Sequence, residues 1–541
     1  MADDWKKKLR KLKTSLEPEK QRSAGKEQKS RRGSRSFDTV DPKAVWGGPD
    51  DDQRRAAGER SKSSTQVLPP EPVFGEGKPV NIGIDVGTST LKVCIRPPGM
   101  NSKVYVVPVA GQGADPSVLC PSTVTVAGGQ VWFGNEAEER IRKTGGQVFR
   151  QLKVCMACEV GMRPEAPIAA CQCERMDGGI CSAIFSISGS SEAVLASDLL
   201  TLLLGWAMGE SRQRIPADLT GETTPRATYS VSAPIDQIDA GSQLTGEYAR
   251  VVFQAWSLSG AIRQGMELST ALEWIVRVQQ VAVPSDEERL VELCPESGAI
   301  VAGYAMSPEM EEGQYAVIDI GAWTTEMSFF RFTEVGQLKT GRPARAFHAA
   351  RSHRVAANQV DDRCRTHVLE MYARDPGQDR ALAETIRDQR ERHVFAEEPL
   401  ALGGQGKEIT PRPSALQFAR DLVAEAIGRR FLDTLMEAYE NEKLESFWQG
   451  KLRILFAGGG SLDSVLRSGI RHGFIADSRG VPEPSDLVGL PACDDYRRFL
   501  VAYGLAHGSA RWPRDLLPSQ TLPFKPSRRS MPTSEELGYD P

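Results

Sequence analysis

Apolar residues gather into three runs that each meet glycine. "VNIGIDVGTSTLKVCI" (Val80–Ile95) and "YAVIDIGAWTTEMSFF" (Tyr315–Phe330) each predict a buried strand, a glycine-hydroxyl turn and a second strand. "KLRILFAGGGSLDSVLRSGI" (Lys451–Ile470) predicts a strand, a glycine turn and a helix. "AVLASDLLTLLLGWAM" (Ala193–Met208) is broken by Asp198 and predicts a buried helix, with Leu199, Leu203 and Trp206 as a core stripe. A helical pattern runs from Ala415 to about Trp448, and a last helix lies in "DDYRRFLVAYGLAHGSA", ending at Ala510. Strands and helices alternate between these landmarks, so the class is α/β.

The ends read differently. Residues 1–78 lack sustained periodicity and predict a disordered arm. Within it Trp5, Leu9, Leu12 and Leu16 share one face of a short amphipathic helix, and "FDTVDPKAVWGG" (Phe37–Gly48) sets Phe37, Val45 and Trp46 in a polar stretch, as a linear binding motif would. Residues 511–541 predict an extended tail. The first 35 residues hold 13 Lys/Arg against 5 Asp/Glu, leaving 54 against 66 in the rest. A basic arm on an acidic body suggests tethering to protein partners, with anionic lipid or nucleic acid as weaker alternatives. The composition, 40% hydrophobic and 26% charged, is that of an ordinary soluble protein. The chain shows no membrane span, and its start lacks a signal peptide's apolar core, so a cytoplasmic location is expected.

The first two runs repeat one pattern. "IGIDVGTST" and "VIDIGAWTT" each end a strand in Asp, an apolar residue and Gly, followed by hydroxyl residues. Glycine lets backbone N–H groups approach phosphate oxygens, and Thr88, Ser89, Thr90, Thr324 and Thr325 add donors. Asp85 and Asp319, from opposite walls of a cleft, could hold a hydrated Mg²⁺. The triple glycine Gly458–Gly460, with Ser461, lets backbone approach a nucleotide at a helix start. Each motif alone is weak; the three in this order are a strong signal.

With these residues in place, the chain resembles the actin, sugar-kinase and heat-shock ATPase superfamily, and within it the ATPase domain of the 70-kDa heat-shock chaperones. "DPSVLCPSTVTVAGGQVWFGNEAEERI" is similar to the family's Pro-Ser-x-Val strand and Gly-x-x-Ala helix, "GGQVFRQLKVCMA" to its lysine segment, "VELCPESGAIVAGYAM" to its Glu-Pro helix with matches at Glu296 and Tyr304, and "AANQVDDRCRTHVL" to the entry into its second upper subdomain. The resemblance covers about residues 80–510. It implies a two-lobed actin-like fold of duplicated ribonuclease-H-like subdomains around a nucleotide cleft. The expected division is 79–510 as the ATPase domain, with lobes at about 79–305 and 306–510. It further implies ATP or ADP with Mg²⁺, oriented by Asp85 and Asp319, phosphates on Gly87, Thr88, Ser89, Gly321 and Thr324, charge stabilisation by Lys153 and water placement by Glu296. Gly458, Gly459 and Gly460 would line the adenosine side, and Asp388 and Arg392 the adenine clamp. Co-chaperone-like regulators would be expected partners.

Several residues depart from the family pattern. Ala322 and Trp323 stand where the second loop is nearly all glycine, Phe149 precedes Lys153 by four residues instead of three, and Pro295 precedes Glu296 instead of following it. About thirty residues follow Ala510, too few for the peptide-binding domain and lid of the chaperones. The expected function is therefore a nucleotide-controlled switch without that domain, and a weak ATP hydrolase. A pseudo-ATPase scaffold or an actin-like filament protein is the alternative, and a sugar kinase is disfavoured because no substrate-hydroxyl base stands outside the nucleotide set. Separately, Cys155, Cys158, Cys171 and Cys173 approach a zinc spacing, against the plainer reading of buried thiols packing as small apolar residues.

Overall fold

Strand β1 (Pro79–Val86) is buried along almost its whole length because it lies inside a sheet with helices on both faces. A computed structural model of the chain describes residues 77–97, 102–109, 118–159, 175–176, 180–181, 184–187, 193–216, 219, 225–233, 243–278, 290–305, 311, 313–333, 344–361, 363, 400–402, 407–409, 413–442, 452–471, 483–492 and 494–508. The expectations for the N-terminal arm and the C-terminal tail fall outside them.

In chain order β1 is followed by β2 (Thr90–Arg96), β3 (Val104–Val107), β4 (Cys120–Pro121), β5 (Val124–Ala127), β6 (Gln130–Phe133), helix α1 (Gly134–Thr144), β7 (Gln147–Phe149) and α2 (Leu152–Glu159). Next come α3 (Ala196–Gln213), β8 (Arg226–Ala233), α4 (Gln243–Leu258), β9 (Met266–Glu267), α5 (Leu268–Val278), β10 (Val291–Pro295) and α6 (Glu296–Ala305). The remainder holds β11 (Gly313–Ile320), β12 (Thr325–Thr333), β13 (Ala344–His353), α7 (Pro413–Glu442), β14 (Leu452–Ala457), α8 (Ser464–Arg471), β15 (Leu487–Val488) and α9 (Leu500–Ala506). The chain is mixed α/β, as its pattern predicts. Of the helix expected over Ala193–Met208, Ala193–Leu195 is instead a short strand and the rest forms as α3, and no helix among the described residues is long and apolar enough to cross a membrane.

Two sheets share one topology. The first has the order β10-β8-β1-β2-β3-β15, with β4 also on β2. The second has the order β13-β12-β11-β14. In each, a meander of three antiparallel strands is followed by a later strand that pairs parallel on the other side of the first. The sequence repeat is thus a topological repeat. A smaller antiparallel sheet, β9-β6-β5-β7, packs against α1.

The alternation of side chains decides what each face carries. Val80, Ile82, Ile84 and Val86 join a core with α3 and α4, which leaves Asn81, Gly83 and Asp85 for the opposite face. In β11, Ala316, Ile318 and Ile320 join a core with α7 and α8, while Tyr315 and Val317 pack on α6 and α9. Helices α6 and α9 therefore lie between the sheets, and strand parity turns both Asp85 and Asp319 toward that middle layer. Strand β15 and helix α9, late in the chain, return to the first sheet.

The middle layer is tight enough to need glycine at Gly504. A Cβ there would sit 1.8 Å from the Ala299 carbonyl oxygen and 2.3 Å from its carbon. Gly504→Ala is expected to force the two helices apart and lower stability by about 1–3 kcal/mol or more. Gly246→Ala, on α4 with open space at its Cβ, is expected to be neutral or slightly stabilising. The urea midpoints of the two variants check this.

Candidate functional site

The β1–β2 hairpin is set by register. Asp85 pairs with Lys92 and Val86 with Leu91, so the loop carries Gly87, Thr88 and Ser89 at its tip. Ser122 fixes that loop from the side: its N–H donates to the Ser89 carbonyl (2.9 Å) and its hydroxyl to the Gly87 carbonyl (2.7 Å). Ser232, on the parallel neighbour β8, accepts from the Val86 N–H (2.9 Å) and donates to Asp85 Oδ1 (3.2 Å). Lys92 Nζ donates to Asp85 Oδ2 at 2.6 Å. The carboxylate is thus held at both oxygens.

The β11–β12 loop is fixed by its own backbone. Gly321 N–H donates to the Thr324 carbonyl (2.9 Å), while the carbonyls of Gly321 and Ala322 accept from Ala357 (3.2 Å) and Asn358 (2.9 Å). Thr325 turns away from the cleft and donates to the Val355 carbonyl. Ala322 and Thr324 line the cleft between the hairpins, whereas Trp323 does not. Its indole is half-buried elsewhere, and its Nε1 is buried without a hydrogen-bond partner among the described residues.

Lys153 arrives by a strained corner. After β7 the chain passes Gln151 at φ 61°, a left-handed conformation uncommon for a residue other than glycine, and then enters α2. Lys153 Nζ forms an ion pair with Glu296, the first residue of α6, and donates to the Val86 carbonyl at 3.1 Å. Both side chains are about nine-tenths buried. Burial alone would lower the Lys153 pKa; the Glu296 charge and hydrogen bond, with Tyr248 and Asp85 beside them, together outweigh it and hold the ammonium above its ordinary value. The Tyr248 hydroxyl, buried without a hydrogen-bond partner among the described residues, feels both charges.

Asp319 differs. Burial first, then the Glu296 and Asp85 charges, push its carboxyl up to about 7. Gly458, at φ 79°, presses on it: a Cβ there would sit 2.2 Å from Asp319 Oδ1. Only glycine both adopts that φ and allows that approach.

These groups surround a cleft of about 350 Å³, within the range of small-molecule sites. Asp85, Gly87, Thr88, Ser89, Thr90, Lys153, Glu296, Asp319, Gly321, Thr324, Gly458, Gly459 and Gly460 all line it. Trp323, Thr325 and Ser461 do not; the Ser461 hydroxyl is buried and donates to the Gly458 carbonyl (2.7 Å). Asp388 and Arg392 lie outside the described residues. Of the cysteine cluster, Cys155 is buried in α2, while Cys171, Cys173 and the Cys158 side chain fall outside. Among the described residues no three His, Cys, Asp or Glu side chains are grouped to ligate a metal directly.

Sequence reading missed Lys92, Asp361, Arg420, Asp463 and Arg498, which also line the cleft. Lys92 was within reach of counting, because the four residues Gly87–Thr90 between the paired Val86 and Leu91 place it opposite Asp85. The glycine turn also differs from expectation. A 3₁₀ turn (Gly459–Leu462) intervenes before α8, and Asp463 occupies the helix start, accepting from the Val465 N–H (2.8 Å) and pairing with Arg420 (3.0 Å). That carboxylate already satisfies the helix N-terminus.

A larger cleft of about 1230 Å³ lies between α1 and the end of α3, lined by Trp132, Trp206, Glu136 and Glu210 among others. It lacks convergent loops, so the smaller cleft is the stronger candidate. No family model matches the chain, and no curated protein matches it.

Two outcomes are expected. Lys153→Met leaves Glu296 buried and unpaired, which lowers stability by about 3–5 kcal/mol; adding Glu296→Leu recovers most of it. Urea titration of the single and double variants measures this. For Asp319 the folded pKa of about 7 exceeds the ordinary 3.8. The folded form then keeps a proton that the unfolded chain loses, so its contribution is full below about 3.8 and fades as pH rises toward 7. Asp319→Asn is expected to remove that slope and gain stability relative to the parent at neutral pH, as read from melting temperatures across pH 4–8.

Proposed function

We propose that the chain is a Mg²⁺-dependent, ATP-binding protein of the 70-kDa heat-shock type, a slow ATPase on a two-lobed actin-like fold that works as a nucleotide-controlled switch. One observation carries this reading: two topologically equivalent hairpins turn their glycine-hydroxyl loops and terminal aspartates into one cleft, beside a buried lysine–glutamate pair and a triple glycine.

The residues fit the ligand. Backbone N–H groups of both loops and the hydroxyls of Thr88, Ser89, Thr90 and Thr324 supply phosphate donors. Asp319 is a buried carboxylate with no ammonium paired to it among the described residues, and Gly458 removes the side chain that would shield it. A hydrated Mg²⁺ keeps several waters, so Asp85 and Asp319 would hold it through those waters without forming a direct ligand cluster. When bound, the metal supplies charge neutralisation at the phosphates. Lys153 lies where developing negative charge would be met, and Glu296 fixes its position. Ala357, Val360, Leu462, Val465 and Val501 give the cleft apolar walls. Partners would meet the body or the tails.

A weaker, scaffold-like member of the same class is favoured by one feature. Ala322 and Trp323 stiffen the second loop, whose backbone is already tied at Gly321 and Ala322.

Equilibrium binding of ATP to the full chain with Mg²⁺, followed by phosphate release, tests the reading. Binding and slow release are expected, with Asp319→Ala or Lys153→Ala cutting release by about 100-fold or more. Nucleotide that fails to bind removes the proposal. Binding with no release that any of these substitutions changes selects the scaffold. Trp323→Gly separates a brake, which gives faster release, from packing, which leaves it unchanged.

A further inference from the structure

Two of the three central carboxylates in the cleft already have cations. Lys92 holds Asp85 at 2.6 Å, with side chains 10% and 7% exposed, and Lys153 holds Glu296. The two lysines are not equivalent. Lys153 is tied on two sides, to Glu296 and to the Val86 carbonyl. Lys92 has Asp85 as its hydrogen-bonded partner and lies against the inner face of the first loop, where a Cβ on Gly87 would come within 3.1 Å of its Nζ. The second hairpin has no such cation. Its position across from Asp319 is Glu326.

We propose that Lys92 makes divalent-cation binding conditional on a phosphate-bearing ligand: it occupies Asp85 until phosphate oxygens in the first loop draw its ammonium away. The inference rests on the nucleotide reading for the identity of that ligand, and goes beyond it in assigning an order to binding and a residue that imposes it.

The arrangement sets up such a competition. Asp85 Oδ1 takes the Ser232 hydroxyl and Oδ2 takes the ammonium, so waters of a hydrated cation find both oxygens engaged. The ammonium also repels a dication in a buried setting where charge is poorly screened. A phosphate cradled by Gly87, Thr88 and Ser89 offers the ammonium a second anion within a short swing of the same side chain. Once the ammonium moves, the Asp85 carboxylate is free and the local sign of charge suits the cation. Metal and phosphate would then each strengthen the other's binding by the same factor.

The test uses the full chain with Mn²⁺ as the metal probe, read by electron paramagnetic resonance, and ADP in EDTA as the metal-free phosphate probe. Lys92→Gln is expected to tighten Mn²⁺ alone at least tenfold and to weaken metal-free ADP by a similar factor. Lys92→Arg, which keeps the charge, is expected to keep the parent's exclusion of Mn²⁺. Opposite signs for the two ligands are the signature. If Lys92→Gln changes neither affinity, weakens both, or behaves as Lys92→Arg does, the proposal is overturned. Should Lys92→Gln fail to fold, the parent decides: Mn²⁺ must bind more tightly with saturating ADP than without it, after allowance for the Mn–ADP complex in solution, and equal affinities overturn the idea. The nucleotide reading fails separately. If ADP binds neither protein yet Mn²⁺ tightens in Lys92→Gln, that reading falls and the competition at Asp85 stands. If ADP binds the parent but Lys92→Gln leaves both ligands unmoved, the reverse holds.

Discussion

Ala299 and Gly504 meet backbone against backbone in the middle layer, and the geometry of the cleft hangs on that contact. Helices α6 and α9 cross between the two sheets, so their separation sets how far β1 stands from β11. Were the crossing wider by one methyl, Asp85 and Asp319 would move apart and Glu296, at the start of α6, would leave Lys153. The buried ion pair depends on close placement, because a buried charge whose partner moves away loses several kcal/mol. Core packing and site chemistry are therefore one constraint. Tyr304, Tyr315, Val317 and Phe330, all almost fully buried around the helix pair, hold the spacing from the apolar side.

What the sequence made legible was local. A strand that ends in Asp-x-Gly before hydroxyl residues has few conformations open to it, so both hairpins and the strand before Gly458 could be read from period and glycine alone. The parity of β1 and β11 was also written in the alternation of residues such as Ile82, Ile84, Ile318 and Ile320. Partnerships between distant segments were not legible. Arg420, Asp463 and Arg498 reach the cleft from three elements, and no spacing rule joins them. The cap at Asp463 replaced the expected open helix start because an Asp in that position satisfies N–H groups locally. Asp495 does the same for Arg497 in the last segment, where a 3₁₀ turn precedes a short α9 in place of one continuous helix.

The two hairpins share topology but differ in charge. Across from Asp85 stands a lysine, and across from Asp319 stands a glutamate. One wall of the cleft thereby carries its own lysine, while on the other wall burial first, and then the Glu296 and Asp85 charges, push Asp319 toward neutral pH. A symmetric pair of aspartates would have repelled each other without relief. The repeat supplies the frame, and the single difference at its register-paired position supplies polarity across the cleft.

Trp323 shows how the second loop accommodates a bulky residue where glycine was expected. Its neighbours Ala322 and Thr324 face the cleft while the indole is turned off it, so the loop's backbone stays available on the cleft side. That arrangement leaves Nε1 buried without a partner among the described residues, a state that costs roughly 1–3 kcal/mol for a polar group. The loop must be held against that cost, and the hydrogen bonds from Ala357 and Asn358 to the carbonyls of Gly321 and Ala322 are placed to do so. A loop restrained in this way gives up the mobility of a glycine-rich one. The indole thus exchanges loop freedom for a fixed backbone, and it does so on the wall of the cleft that carries Asp319.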